Sequence, residues 1–242
     1  MEHVLIPPFS SEWWTYNFAT IIVIITVIYT ATLLRKKSQN ILTLSLASIF
    51  IFEFIFMDFY HIFIDKTWSL EHSLPLHLCG LMWFMCIYLF ITKKQWVFEM
   101  ILFIGMPGGI HSLLTPELPH GADLLHKVDF FIGHGGLILA PFYAIFILGM
   151  WPRKNAWWKS FIKLQILVLI IGLTNWAIGG EANYMYLMQT PIADNPLIPS
   201  ENSFFGKWPY YILIFEIAVL IHALLIYTPF FLMKKKESKL NN

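Results

Sequence analysis

The chain has little charge and little cysteine, and each shortage excludes a class of protein. Only 13% of its 242 residues are Asp, Glu, Lys or Arg, about half of the roughly 25% that is typical of soluble domains. Its two cysteines, Cys79 and Cys86, stand seven positions apart. On one helix they would lie about 10 Å apart along the axis, too far for a disulfide between them. A disulfide scaffold is therefore excluded.

The sequence also lacks the short motifs of common metal and nucleotide sites. It has no HExxH, no CxxC, no GxxxxGK[ST] and no GxGxxG. We therefore predict neither a metal nor a cofactor, although histidines on several helices together with Asp58 keep a catalytic metal open as a minor alternative. The net charge of +1 gives no reason to expect a nucleic-acid partner.

What the chain does have is long apolar runs. It is 57% hydrophobic, and a membrane span needs about 20 predominantly apolar residues. We predict an all-α polytopic membrane protein, a single domain over residues 1–242 with seven transmembrane helices. The predicted spans are 16–34, 41–63, 75–92, 96–114, 129–151, 158–178 and 210–233.

The basic residues predict the orientation of these spans. All but three of the 16 lysines and arginines lie beside links that an N-out, C-in chain exposes to the cytoplasm. The exceptions are Lys66, Lys127 and Lys207. We therefore expect a multi-pass protein of the cytoplasmic membrane with the lipid bilayer as its partner. The sequence does not determine an oligomeric state.

One connection is unusually long. Residues 179–209 form a predicted extracytoplasmic loop that contains four prolines, so it is not one helix. Loops of this length are often lids or binding loops. Aromatic residues such as Tyr184, Tyr186 and Trp208 favour packing over the alternative of a disordered connector.

Polar residues concentrate near the predicted outer ends of six spans. Ionisable groups within spans are costly and by default indicate a functional site, so this layer predicts an outward-facing polar pocket. The alternative is that histidines at span ends contact lipid headgroups, which we prefer for His72, His120 and His126. The predicted pocket residues are Asp58, His61, His77, Cys79, His111, Asp129, His134, Asn175, Asn183, Trp208 and Glu216.

Small residues accompany two of the histidines. The segments IGHGGLILAP and MPGGIHS surround His134 and His111, and glycine there permits close helix packing or close approach of a ligand. Pro107 is expected to kink or break its span. Asp58 and His61 are three positions apart, so the carboxylate would orient the imidazole as a base or simply satisfy it.

The neighbouring His77 and Cys79 suggest thiol–imidazole chemistry. On a helix, however, side chains two positions apart point about 200° away from each other, so a base for Cys79 would come from another helix. We therefore favour His77 and His134 as the acid/base groups. Cys79 is a weaker candidate nucleophile, since a lone membrane cysteine is usually a small packing residue.

The motifs LPLHLCG, GHGGLILAP, NYMYLM and KWPYYIL resemble those of the YwaF-like family of bacterial integral membrane proteins, over nearly the whole chain. A more distant resemblance is to a vertebrate multi-span acyltransferase family that builds polyunsaturated ether phospholipids. That resemblance supports His77, His134 and Asn183 as a shared polar set. The cysteine of that family's Asn-Pro-Cys-His motif falls on Leu76, so its cysteine mechanism is not transferred.

These observations favour an enzyme that transfers or hydrolyses acyl groups of a membrane lipid, with a phospholipid as the expected substrate. His77 and His134 would supply acid/base catalysis, and Asp58 and Asn183 would orient. The main alternative is a lipid- or solute-binding or transport protein that uses the same pocket without chemistry. The third hypothesis is a structural or assembly protein that has no small-molecule site.

Overall fold

A computed structural model describes residues 4–118, 121–190 and 203–240, with side chains as far as residue 233. Within these ranges the chain forms seven long helices, a two-stranded antiparallel pair of β1 (Val4–Leu5) with β2 (Glu117–Leu118), and short 3₁₀ turns at Tyr184–Tyr186 and Phe204–Gly206. The helices are α1 (Ser11–Leu33), α2 (Lys36–Ile64), α3 (Leu78–Thr92), α4 (Gln95–Leu114), α5 (Leu124–Phe146), α6 (Ala156–Ile178) and α7 (Tyr210–Leu240).

Six of the described helices are long and apolar enough to cross a membrane. The exception is α3, whose 15 residues extend about 22 Å, less than the roughly 30 Å of a hydrocarbon core. The mostly helical membrane architecture agrees with the prediction. The third predicted span, 75–92, corresponds to this shorter helix.

Two helices, α3 and α5, begin at residues other than those predicted. α5 begins at Leu124 rather than at Asp129, because the Asp123 carboxylate accepts hydrogen bonds from the backbone N–H groups of Leu125 and His126. α3 begins at Leu78 rather than at Pro75, and His77 precedes it in extended conformation. The argument that His77 and Cys79 point apart on one helix therefore does not apply.

Pro107 does not break its helix, and the distortion expected beside it takes the form of a π turn. α4 continues from Gln95 to Leu114 through a π-helical turn at Ile101–Gly105 that lies directly before the proline. A π turn widens the backbone locally and accommodates the missing N–H and the ring of proline. α2 also ends in a π turn, at Tyr60–Ile64.

α4 is the central helix of the bundle. In its most apolar stretch 72% of the residues are buried, against 11% in α7. The core around it is built from large side chains, including Phe90, Phe98, Phe103 and Tyr143, which are fully buried. The outer faces of α1, α2, α6 and α7 expose many large apolar residues, as expected of surfaces that contact lipid rather than water.

The two ends of the bundle have different partners. At one end, Lys93 Nζ donates to Asn40 Oδ1 at 2.9 Å, and Gln95 Nε2 donates to the Trp151 carbonyl at 2.8 Å. These contacts bring together links 34–35, 93–94 and 147–155, which we call the basic end. At the other end, Trp13 Nε1 donates to the Leu114 carbonyl at 3.0 Å and the Tyr184 hydroxyl to the Leu70 carbonyl at 2.8 Å. We call segments 65–77, 115–118, 121–123 and 179–190 the loop end.

Candidate functional site

A large cavity lies inside the bundle and reaches the loop end. Its volume is about 1310 Å³, more than the 300–1,000 Å³ typical of small-molecule pockets. All the long helices except α1 contribute to its lining. Of the predicted pocket residues, those on its wall are Asp58, His77, Cys79, His111, Asp129, His134, Asn183 and Glu216.

Cys79 and His134 meet at this cavity, although they come from different helices. Cys79 is the second residue of α3, and His134 lies on α5. Both side chains line the cavity, and the thiol and the imidazole lie close enough for their charges to interact. Ser112 of α4 completes the group, with its Oγ 4.0 Å from the Cys79 Sγ. This cluster of three residues, one from each of three helices, is the thiol site.

The tautomer of His134 suits a base. Its Nδ1 lies 2.8 Å from the Phe130 carbonyl oxygen one turn earlier. A carbonyl only accepts, so Nδ1 carries the proton and donates it in this bond. The unprotonated Nε2 is then available to accept the thiol proton. This arrangement of nucleophile, base and orienting group follows the general pattern of activated nucleophiles.

Two adjacent glycines bring α4 against the thiol site. A Cβ on Gly109 would lie 2.8 Å from the His134 carbonyl oxygen, which real side chains do not tolerate, so glycine is required for this close approach. A Cβ on Gly108 would lie 3.7 Å from the Cys79 Sγ, an ordinary contact distance. The two roles predicted for the MPGGIHS segment therefore belong to different glycines. Gly109 allows close helix packing, and Gly108 borders the thiol site.

His77 lies on the same cavity wall but has other neighbours. Its ring contacts the rings of Tyr184 and Tyr186, each with centroids 5.3 Å apart. Both tyrosines belong to the 3₁₀ turn of the loop end. The predicted pair of His77 and His134 thus shares a cavity, while the contacts of His134 are with Cys79 and Phe130.

A pair of histidines, His111 and His222, also lines the cavity. His111 Nε2 and His222 Nε2 are 3.0 Å apart, and His222 Nδ1 lies 2.6 Å from the Ala218 carbonyl oxygen. Because His222 must donate through Nδ1, its Nε2 accepts, and His111 donates. Glu53, Asp129 and Glu216 also line the wall, and Gln165 Nε2 donates to Glu216 at 2.6 Å.

Three predicted pocket residues lie elsewhere. The hydrogen-bonded carboxylate partner of His61 is Asp65 rather than Asp58: its Nδ1 lies 2.9 Å from Asp65 Oδ2, since residues four positions apart lie on the same side of a helix. Asn175 is buried and exchanges two hydrogen bonds with the backbone of Tyr184. Trp208 donates its indole N–H to the Leu187 carbonyl at 3.0 Å.

These contacts hold the loop end together. Asn183 on the cavity wall also accepts hydrogen bonds from the backbone N–H groups of Met188 and Gln189. The prolines at 191, 196 and 199, on which the loop prediction partly rests, lie outside the described residues, as does His120.

Sequence reasoning did not select several polar residues of the site. Ser112, Glu53 and His222 line the cavity, and His126 is 6% exposed rather than facing headgroups. Glu53 and His222 carried a usable signal, because an ionisable group at mid-span is costly without a partner. Ser112 carried none, since serine is common in membrane helices.

Comparison with models of protein families identifies the family of this chain. The model of the TMEM164 family matches residues 8–232, so the chain belongs to the TMEM164 family. The match agrees with an integral membrane protein of several apolar helices, while the YwaF-like assignment stays a prediction. Comparisons with curated proteins and with solved structures give no significant match.

Proposed function

We propose that this member of the TMEM164 family transfers or hydrolyses acyl groups of a membrane lipid, with Cys79 as the nucleophile and His134 as its base. The observation that carries the proposal is the meeting of the Cys79 thiol, the His134 imidazole and the Ser112 hydroxyl on the wall of a lipid-sized cavity. Cysteine thus takes a larger part than sequence reasoning assigned to it.

The proposed reaction has two balanced steps. His134 Nε2 takes the thiol proton, and the thiolate attacks an ester carbonyl of the lipid. The C–O bond breaks, a thioester forms on Cys79, and the leaving alcohol receives the proton from His134. An acceptor hydroxyl or water then gives its proton to His134 and attacks the thioester, which restores the thiol.

The first turn of α3 can stabilise both anions of this scheme, the thiolate of Cys79 and the oxyanion of the tetrahedral intermediate. Cys79 lies in the first turn, where backbone N–H groups have no carbonyl partner within the helix and the helix dipole is positive. A thiolate is stabilised in this position. The same N–H groups, with the Ser112 hydroxyl, would stabilise the oxyanion of the tetrahedral intermediate.

We assign His77 to substrate positioning, with acid catalysis as its alternative role. It stands directly before the first turn of α3, and its ring contacts two tyrosines. A phospholipid whose ester reached Cys79 would extend its headgroup toward the loop end, where His77 and Asn183 line the wall. Asp58, Asp129, His111 and Glu216 would tune the polarity of the remaining wall.

The proposal includes a topology. We place seven spans, including the short α3, in the cytoplasmic membrane with the N-terminus outside and the C-terminus inside. Support comes from the basic end, which gathers Lys93, Lys94 and Arg153, since basic links favour the cytoplasm. The thiol site would then open toward the outer leaflet.

Turnover of labelled phospholipid by the purified protein tests the proposal. Cys79→Ser and His134→Ala are expected to lower formation of lysolipid, free acid or transacylated product by at least about a hundredfold. Cys86→Ser is the matched control, because Cys86 lies on the same helix but is fully buried. Turnover that survives in Cys79→Ser would refute the proposed mechanism.

The main alternative is a protein that binds lipid or a small solute without chemistry. The cavity volume by itself suits this function equally well. It would be favoured if lipid co-purifies with the wild-type protein, is lost from His77→Ala and His134→Ala, and is recovered chemically unchanged after prolonged incubation.

A further inference from the structure

A second cluster at the loop end has the composition of a metal site. His61 and Asp65 come from the end of α2, and His126 from the first turn of α5. Asp65 Oδ2 lies 2.9 Å from His61 Nδ1 and 3.5 Å from His126 Nε2. One donor atom from each of the three residues lies within 4.8 Å of the other two. The side chains of His61 and His126 are only 10% and 6% exposed.

The second oxygen of Asp65 is held by other groups. Its Oδ1 accepts hydrogen bonds from the Thr67 backbone N–H at 3.0 Å and from the Thr67 hydroxyl at 2.8 Å. These bonds fix the carboxylate plane and turn Oδ2 toward the two imidazoles. Ligating carboxylates in metal sites are usually held in this manner by hydrogen bonds to their other oxygen.

His126 is oriented in the same way from the opposite side. Its Nδ1 bonds to the carboxylate of Asp123, the residue that caps α5. This bond places the proton on Nδ1 and directs the Nε2 lone pair toward Asp65. A carboxylate that accepts from the outer nitrogen of a ligating histidine is the commonest supporting interaction in zinc sites.

We propose that His61, Asp65 and His126 bind a divalent transition-metal ion, with Zn²⁺ as the best match. Zinc–nitrogen and zinc–oxygen bonds are about 2.0–2.2 Å, so neighbouring ligand atoms of a tetrahedral ion lie roughly 3.3–3.5 Å apart. The separations of 2.9 and 3.5 Å need only small shifts. Two imidazoles and one carboxylate suit zinc rather than calcium or magnesium, which prefer oxygen ligands.

The site joins two helices that frame the cavity. The ion would tie the end of α2 to the start of α5, the helix that carries His134. It would therefore stabilise the loop end. Neither His61 nor Asp65 is part of the thiol site, so the inference is independent of the proposed acyl transfer.

Zinc binding by the purified full-length protein in detergent tests the proposal. After removal of metal with a chelator and dialysis, calorimetric titration with ZnCl₂ is expected to show one site with a Kd below about 10 μM. Metal analysis after desalting should then give about one zinc per chain, and the thermal unfolding midpoint should rise with zinc concentration. A wild-type chain that binds no zinc in this range would overturn the proposal, whatever the variants do.

Variants identify the ligands. Asp123→Asn is the sharpest, because asparagine still caps the helix but no longer accepts as an anion from His126; it is expected to weaken zinc binding by about 10–100-fold. His126→Gln and Asp65→Asn should abolish the zinc-dependent rise in the unfolding midpoint.

His72→Ala is the control. His72 lies with Glu71 and Glu181 in an exposed group of three that also approach one another, and its loss should leave the calorimetric site unchanged. If His72→Ala removes zinc binding and Asp123→Asn does not, the ion occupies the exposed group and the assignment is wrong.

Discussion

The two ends of the helix bundle use their polar side chains differently. At the basic end, Glu99 is 1% exposed, and both its carboxylate oxygens bind Arg153, at 2.8 and 2.6 Å. Nearby, the hydroxyls of Thr43 and Tyr143 bond to each other at 2.9 Å. At the loop end, by contrast, histidines, carboxyl groups and a thiol line a cavity. Polar groups at the basic end thus hold helices together, whereas several of those toward the loop end line the cavity.

The two cysteines show this contrast within a single helix. Cys79, near the loop end, reaches the cavity and contacts His134 and Ser112. Cys86, two turns closer to the basic end, is fully buried in the apolar core. The same chemical group is therefore a candidate nucleophile in one place and a packing residue in the other, because only its surroundings differ.

Thiol labelling should separate the two cysteines most strongly. A small polar alkylating reagent is expected to modify Cys79 about a hundredfold faster than Cys86, because thiolate character and access govern the rate. Mass spectrometry of the intact protein and of its peptides measures both rates. His134→Ala should slow labelling of Cys79 and leave Cys86 unchanged. Equal alkylation rates for Cys79 and Cys86 would contradict the assignment of Cys79 as the reactive cysteine.

Arg153→Ala should damage the basic end without changing the chemistry of the loop end. It leaves the Glu99 carboxylate buried with fewer partners, which is expected to cost about 2–3 kcal/mol of stability because Arg153 itself is half exposed. Thermal or denaturant unfolding in detergent measures the loss. Arg153→Lys keeps the charge and should fall between wild type and Arg153→Ala. Turnover per folded molecule should not change.

Two glycines of the GHGG segment are expected to respond in opposite ways. A Cβ on Gly136 would overlap the Trp83 ring, whereas one on Gly133 meets nothing within 4 Å. Gly136→Ala should therefore destabilise the protein by about 1–3 kcal/mol through overpacking. Gly133→Ala should be neutral or slightly stabilising, since alanine favours helix. Unfolding midpoints of the two variants decide the matter, and equal losses would contradict the packing account.

We expect the smallest loss of stability from a change at Tyr184, and the same residue should make stability depend on pH. Tyr184→Phe removes the bonds from the Leu74 N–H and to the Leu70 carbonyl, at a cost of about 1–2 kcal/mol. Burial raises the pKa of the Tyr184 phenol above its usual 10.0. A raised folded-state pKa means that its contribution is complete below the unfolded value and is lost as pH rises through the folded value.

The unfolding midpoint of the wild-type protein should accordingly fall as the pH rises above about 10. Tyr184→Phe should show a shallower fall than wild type over the same range. Parallel curves for the two proteins would mean that another group titrates there.

Much of the fold could be predicted from local sequence. The apolar runs located the helices, and the basic links separated the two ends. Errors occurred where short-range contacts decide, as with the cap at Asp123. Eight of the predicted pocket residues line the cavity, while the functional role assigned to them stays a prediction. The pairs within it were not predicted, because their partners come from different helices.

The long apolar runs by themselves determined that this chain is an integral membrane protein. Apolar runs enter the lipid, and ionisable groups stay where water reaches them. The order of residues along the chain is enough to predict both. Which groups meet was decided only by tertiary packing. The close approach at Gly109 brings α4 against α5 beside the thiol site, and the packing of α5 beside the end of α2 places His126 Nε2 3.5 Å from Asp65 Oδ2. Such contacts depend on the relative rotation of helices, which no single helix encodes.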